Sequence, residues 1–179
     1  SQATLTPPAL HHSITPPMKH LLRLLAVAAL FAAPIAATAA DLSVTAASFK
    51  TGARAKFKHA VAGVAITAGQ AVYLDGNGKW QLADANGTGT TEVEGLAAHT
   101  AAADQVLAVV YEDDDLTLGA TLSMVAPVYV LSGTAGGIAP TADIASGMHP
   151  KPFIVAKSTT KCILFKARGL QFTAAATGS

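Results

Sequence analysis

The chain has 179 residues and a net charge of +1, with charged residues at 13%, about half the ~25% usual for globular proteins. Near-neutrality gives no whole-protein case for nucleic-acid binding, and the single cysteine excludes an internal disulfide or a cysteine-based zinc site. Hydrophobic residues reach 51%, much of it alanine, which describes one domain with a small-residue core and a Thr/Ser/Gly/Asn surface.

In chain order, residues 1–17 carry two Pro-Pro pairs and His11-His12 without periodicity. They read as a disordered upstream segment. Residues 18–40 form a signal-peptide-like apolar segment. Lys19, His20 and Arg23 are basic, Leu24 to Ile35 is apolar, and Ala37-Thr38-Ala39 matches an A-x-A cleavage site. The run is short for a membrane-spanning helix, which needs about 20 residues. Two readings stay open: a genuine signal peptide with a mature start near Ala40, or a gene product that itself begins there.

From 41 to 170 the pattern is that of a β-domain. Leu42, Val44 and Ala46 alternate with Ser43, Thr45 and Ala47 and read as a first strand. In the next strand Arg54, Lys56 and Lys58 alternate with Ala55, Phe57 and His59, so the three cations form a row on one face. The chain is organised around the hairpin that follows. Ala71-Val72-Tyr73-Leu74 and Lys79-Trp80-Gln81-Leu82-Ala83 flank Asp75-Gly76-Asn77-Gly78, whose Asn-Gly tip favours positive φ. Trp80 and Leu82 share a face and predict a buried tryptophan. Asn86-Gly87-Thr88 is a glycosylation sequon in a loop, meaningful only in a eukaryotic secretory pathway.

Ala101 to Gln105 reads as a strand-to-strand loop and Val106 to Tyr111 as a buried strand. Glu112-Asp113-Asp114-Asp115 reads as a solvated loop tip, since it lacks the glycine and distal glutamate of an EF-hand loop. Leu116 to Leu122 reads as a strand with a glycine bend. A second hairpin repeats the first: Pro127 to Leu131, the turn Ser132 to Gly137, then Ile138 to Asp143. Phe153 to Ala156 and Lys161 to Phe165 form a closing strand pair, with Cys162 buried in the second. Residues 171–179 form a frayed tail.

No motif of catalytic chemistry is present. The sequence contains no G-x-S-x-G, H-E-x-x-H or P-loop, and His59, His99 and His149 are scattered. No catalytic, cofactor-binding or metal-ligating residue is nominated, and the chain reads as a non-enzyme. The expected fold is all-β: a compact small β-barrel or β-sandwich of eight to ten short strands and hairpins, with a non-globular N-terminal extension.

The stretches Ala65 to Asp75, Gly78-Lys79-Trp80, Leu82 to Ala85 and Val128 to Pro140 resemble the small decoration, or cement, proteins of tailed-phage heads. The resemblance runs from about Asp41 to Arg168 and lies in wording and order. It implies a compact β-domain on the outer capsid surface that binds the major capsid protein, stabilises contacts between its subunits and associates with itself, as a trimer at a local three-fold. It implies no small-molecule substrate and no nucleic-acid partner. The expected capsid contact is the segment Asp41 to His59, through Arg54, Lys56 and Lys58. Phage heads assemble in the cytoplasm, so the signal-like segment favours a rival: an exported bacterial β-domain, periplasmic or secreted, that binds a ligand or a surface glycan.

Overall fold

Strand formers on both sides of Asp75-Gly76-Asn77-Gly78 make the first hairpin as expected: β2 (Ala71–Leu74) pairs antiparallel with β3 (Lys79–Leu82). The turn differs from the expected one. Only Gly78 has positive φ, at 75°, while Asn77 does not. Gly78 N donates to Asp75 O at 3.0 Å, and Asp75 Oδ1 accepts from the backbone N–H groups of Asn77 and Lys79 at 2.9 and 2.8 Å. The aspartate side chain organises the loop, so a single left-handed glycine is sufficient.

The computed structural model describes residues 40–86, 89–143, 148 and 151–166. They lie in one unit, Thr38–Ser179. The expected disordered segment 1–17, most of the signal-like segment 18–40, Gly87-Thr88 of the sequon, His149 and the tail 171–179 lie outside the described residues. Among those described, the chain is all-β with nine strands and two one-turn 3-10 helices, Ala46–Ser48 and Thr141–Asp143.

The remaining strands are β1 (Lys56–Ala62), β4 (Gly95–Ala97), β5 (Val106–Thr117), β6 (Val128–Leu131), β7 (Ile138–Pro140), β8 (Pro152–Ala156) and β9 (Lys161–Leu164). Pairing runs β1-β3-β2-β4-β5-β9-β8-β6-β7, and β1 also pairs with β5. Strands β1, β3, β2, β4 and β5 therefore close into a five-stranded ring, with β1 parallel to β3 and every other pair antiparallel. The second hairpin, β6–β7, and the expected closing pair, β8–β9, form the other sheet.

Strand β5 belongs to both sheets, and here the sequence reading is corrected. Glu112 to Asp115 is no loop tip; it continues a 12-residue strand. Two extra residues are accommodated along it. From Lys56 to Phe57 the partner on β5 moves two places, from Glu112 to Val110, and Asp113 to Leu116 spans three places against two on β9. Such bulges bend a strand and let it change sheets. Asp113 is buried at 2% exposure, and its carboxylate accepts from the backbone N–H groups of Gly52 (2.7 Å) and Asp115 (3.0 Å). These bonds satisfy both buried carboxyl oxygens at the bend.

The expected first strand, Leu42 to Ala47, also fails to form. Its extended part crosses the second sheet instead. Leu42 N donates to Ile138 O of β7, Thr45 N to Gly119 O, and Lys50 bridges Thr117 through two backbone bonds. The alternation is real, because Leu42, Val44 and Ala46 pack on the core. It serves a strap from the β7 edge to the end of β5. Of Leu116 to Leu122, only Leu116 and Thr117 are in a strand; the bend falls at Gly119, φ 79°.

Two apolar clusters follow from this layout. Inside the ring lie Ala62, Ile66, Val72, Trp80, Ala97, Ala101, Leu107 and Val109. Trp80 is buried among them, as its alternation predicts. Leu96 and Val110 turn outward from the ring into the larger cluster with Tyr129, Phe153, Ile154 and Leu164. Val106, expected buried, is 64% exposed, because alternation on a half-buried strand turns it outward. The glycine-rich turn of the second hairpin joins the two sheets. Gly136 N donates to Ala83 O at 2.7 Å and Gly136 O accepts from Ala71 N at 3.0 Å. Gly136 has φ 74°, the left-handed region that favours glycine.

Candidate functional site

The structure places Arg54 in the turn just before β1, Lys56 at its start and Lys58 within it. All three are exposed. None is a free cation. Arg54 Nη1 lies 3.2 Å from Asp114, Lys56 Nζ 2.9 Å from Glu112, and Lys58 Nζ 3.1 Å from Glu94. A hydrogen bond to Glu112, then its charge, raises the Lys56 ammonium above the ordinary lysine value. Lys58 also lies 5.6 Å from the centre of the Trp80 ring, within cation–π range.

The acid run thus neutralises two cations of the basic row, and Glu94 the third. Strand pairing brings Lys56 opposite Glu112, and alternation along β5 separates the four acids. Glu112 and Asp114 meet the row, Asp113 turns inward, and Asp115 meets Lys161 at 2.5 Å and Lys157 at 3.6 Å. Lys161, through its hydrogen bond, holds the Asp115 carboxyl below the usual range. This dispersal removes the clustered oxygens that a calcium ion requires. Among the described residues, no group of three or more His, Cys, Asp or Glu side chains is placed to hold a metal ion.

Beside the ion pairs is a groove of about 340 Å³, lined by Arg54, Lys56, Glu112, Asp114, Ile163 and Phe165 among others. Its apolar wall continues across the second sheet. Val128 of β6 stands opposite Val155 of β8, which stands opposite Ile163 of β9. All three are half-buried or exposed. The surface therefore has an apolar centre and an ion-paired border, the anatomy of a protein–protein contact. Sequence reasoning found the cations but missed Glu94, Glu112, Asp114 and Ile163. The available signal was complementarity: a period-two basic row and a later acidic run are natural strand partners.

Of the other residues considered, His59 is exposed on β1 and His99 is exposed beside β5, where its Nε2 accepts from Ala108 N at 3.2 Å. Cys162 is fully buried, its Sγ 3.6 Å from Leu116 O, and burial pushes the thiol up to about 12. Among the described residues no helix is long and apolar enough to cross a membrane. No family model matches the sequence, and no curated protein matches it.

Proposed function

We propose that this chain is a capsid decoration protein of the tailed-phage type, a non-catalytic binder on the outer surface of the head that stabilises contacts between major capsid protein subunits. The observation that carries the reading is the surface over β1, β5, β9 and β8: an apolar strip edged by preformed ion pairs. Such a surface suits a broad protein contact, with complementary charge setting register and many weak copies adding up on a lattice. The wording shared by the two hairpins with head proteins points the same way. The segment Asp41 to His59 now divides: 42–50 is the strap, and the contact falls to Arg54, Lys56 and Lys58 with the groove beside them.

The test is co-sedimentation with undecorated heads assembled from the major capsid protein of the phage whose genome, on this reading, carries the gene. Wild-type protein is expected to pellet with the heads. The variant carrying Arg54→Gln, Lys56→Gln, Lys58→Gln and Ile163→Ser is expected to stay in solution at moderate salt while keeping its circular dichroism spectrum. Absence of wild-type binding refutes the reading, and full binding by the variant refutes this surface. One observation favours the rival exported β-domain. A shallow depression of about 350 Å³ is lined by Ser43, Thr45, Ser48, Thr117, Thr121 and Thr160 among others, and hydroxyls of this kind donate to and accept from sugars. A mature N-terminus at Ala40 with glycan binding would select that reading.

A further inference from the structure

The strap builds a second surface at the end of β5. Alternation along it packs Leu42, Val44 and Ala46 on the core and turns Ser43 and Thr45 outward. Gly119 lets the strap pass close, since a Cβ there would stand 2.6 Å from the backbone oxygen of Thr45. Three segments therefore meet around the depression of about 350 Å³: the strap with Ser43, Thr45 and Ser48, the end of β5 and its bend with Thr117 and Thr121, and the β8–β9 turn with Thr160. None of these six hydroxyls has a hydrogen-bond partner among the described residues, and no carboxylate lines the depression. We infer that it binds a sugar bearing a phosphate or sulfate group. The site shares no residue with the capsid groove, so the inference is independent of the capsid contact; on the exported reading it names the charge of the ligand.

Charge selects that ligand over a neutral one. Lys50 bridges Thr117 on one side, and Lys161 pairs with Thr117 on the other. Directly paired antiparallel residues project from one face, so both lysines flank a hydroxyl of the depression. Among the described residues, Lys50 is the one lysine or arginine without a salt bridge. Lys161 and Lys157 share a single carboxylate, Asp115, at 2.5 and 3.6 Å, while Asp114 is taken by Arg54. Three ammonium groups thus stand against one carboxylate beside the depression, an excess that raises the local concentration of anions. An oxyanion accepts from an ammonium and from hydroxyls together, with the charge-assisted bond the stronger. A neutral sugar leaves the Lys50 charge uncompensated. The volume falls at the low end of small-molecule clefts, roughly 300–1,000 Å³, so the ring of hydroxyls has room for the hydroxyls of a sugar, which donate and accept as they do.

Amide-resolved NMR titration, with ionic strength held constant by sodium chloride, reads binding of three probes: glucose 6-phosphate, inorganic phosphate and glucose. The ester is expected to shift the amides of residues 43–48, 117–121 and 160 saturably, with a Kd on the order of 1–10 mM. Glucose and inorganic phosphate, each offering half of the contacts, should bind at least about fivefold more weakly. Lys50→Ala should weaken the ester at least about fivefold, while Lys50→Arg retains it. Lys79→Ala, at a paired cation elsewhere, should leave it unchanged. Thr117→Val removes a hydroxyl at nearly constant shape and should weaken the ester about threefold. The same spectra report that each variant is folded. Absence of saturable shifts, glucose or inorganic phosphate binding as tightly as the ester, or ester binding indifferent to Lys50→Ala overturns the proposal. Failure to co-sediment with heads leaves these outcomes unaffected, and loss of ester binding leaves the capsid reading standing.

Discussion

Trp80 is the only tryptophan in the chain and has 0% exposure inside the ring. Its indole N–H finds no acceptor among the protein atoms. Two opposing terms therefore act at this site. Replacing a buried large aromatic by alanine costs about 3–5 kcal/mol. Removing an unpartnered buried donor recovers about 1 kcal/mol, the low end of its desolvation cost. Trp80→Ala should then destabilise by about 2–4 kcal/mol. Trp80→Phe keeps one six-membered ring packed against Val72 and Leu107 and also removes the donor, so its cost should fall below about 2 kcal/mol. The assay is urea unfolding followed by circular dichroism. With a slope near 2 kcal/mol/M, the alanine variant should lose about 1–2 M in midpoint and the phenylalanine variant under about 1 M. A phenylalanine variant as unstable as the alanine one would refute the argument, because the N–H would then be contributing stability rather than costing it.

Gly78→Val tests the turn. Nothing lies within 4 Å of a Cβ at Gly78, so the cost is purely that of placing a β-branched residue at positive φ, about 1–2 kcal/mol, visible as a lowered melting temperature. Cys162, with its thiol pushed up to about 12 by burial, should resist thiol reagents at pH 8 until denaturant is added; reaction in the native protein would contradict its placement. Asp75 is held below the usual carboxyl range, first by the backbone N–H of Lys79 and then by the Gln81 side chain. Its folded pKa is depressed, so its stabilisation is full above the ordinary value of ~3.9 and is lost as pH falls through the folded value. Asp75→Asn should therefore melt below wild type at pH 7, with the gap narrowing under acid; a constant gap from neutral to acid pH would refute it.

The hairpins were legible because each carries its own turn chemistry between strand formers; the burial of Trp80 followed from alternation and that of Cys162 from the apolar run in which it lies. Leu42 to Ala47 shows where local pattern stops. Its alternation correctly marks which side chains meet the core, but no partner strand is free beside it, so the extended chain becomes a strap. Glu112 to Asp115 failed for a different reason. Four consecutive acids suggest water as their only neighbour, yet two bulges and a basic strand far away in sequence make them interior to the sheet. Long-range neutralisation of this kind is set by topology. The groove was legible only by half: its cations stand in one short row, while Ile163 comes from the last strand and Phe165 directly follows it.

Strand β5 has a mechanical consequence. Tension entering the ring through β1 meets six paired positions along β5 loaded in shear, and the same backbone carries it across Asp113 into β9. The strap offers only separate points, at Leu42, Thr45 and Lys50, so a pull from the N-terminal side peels it bond by bond. Load applied along β1 is thus borne collectively by one continuous polypeptide spanning both sheets, while load at residue 40 is met a bond or two at a time. Stretched in an optical trap from residue 40 and residue 166, the domain should yield first in a low-force step that releases 42–50. The ring should follow as a single rupture at higher force.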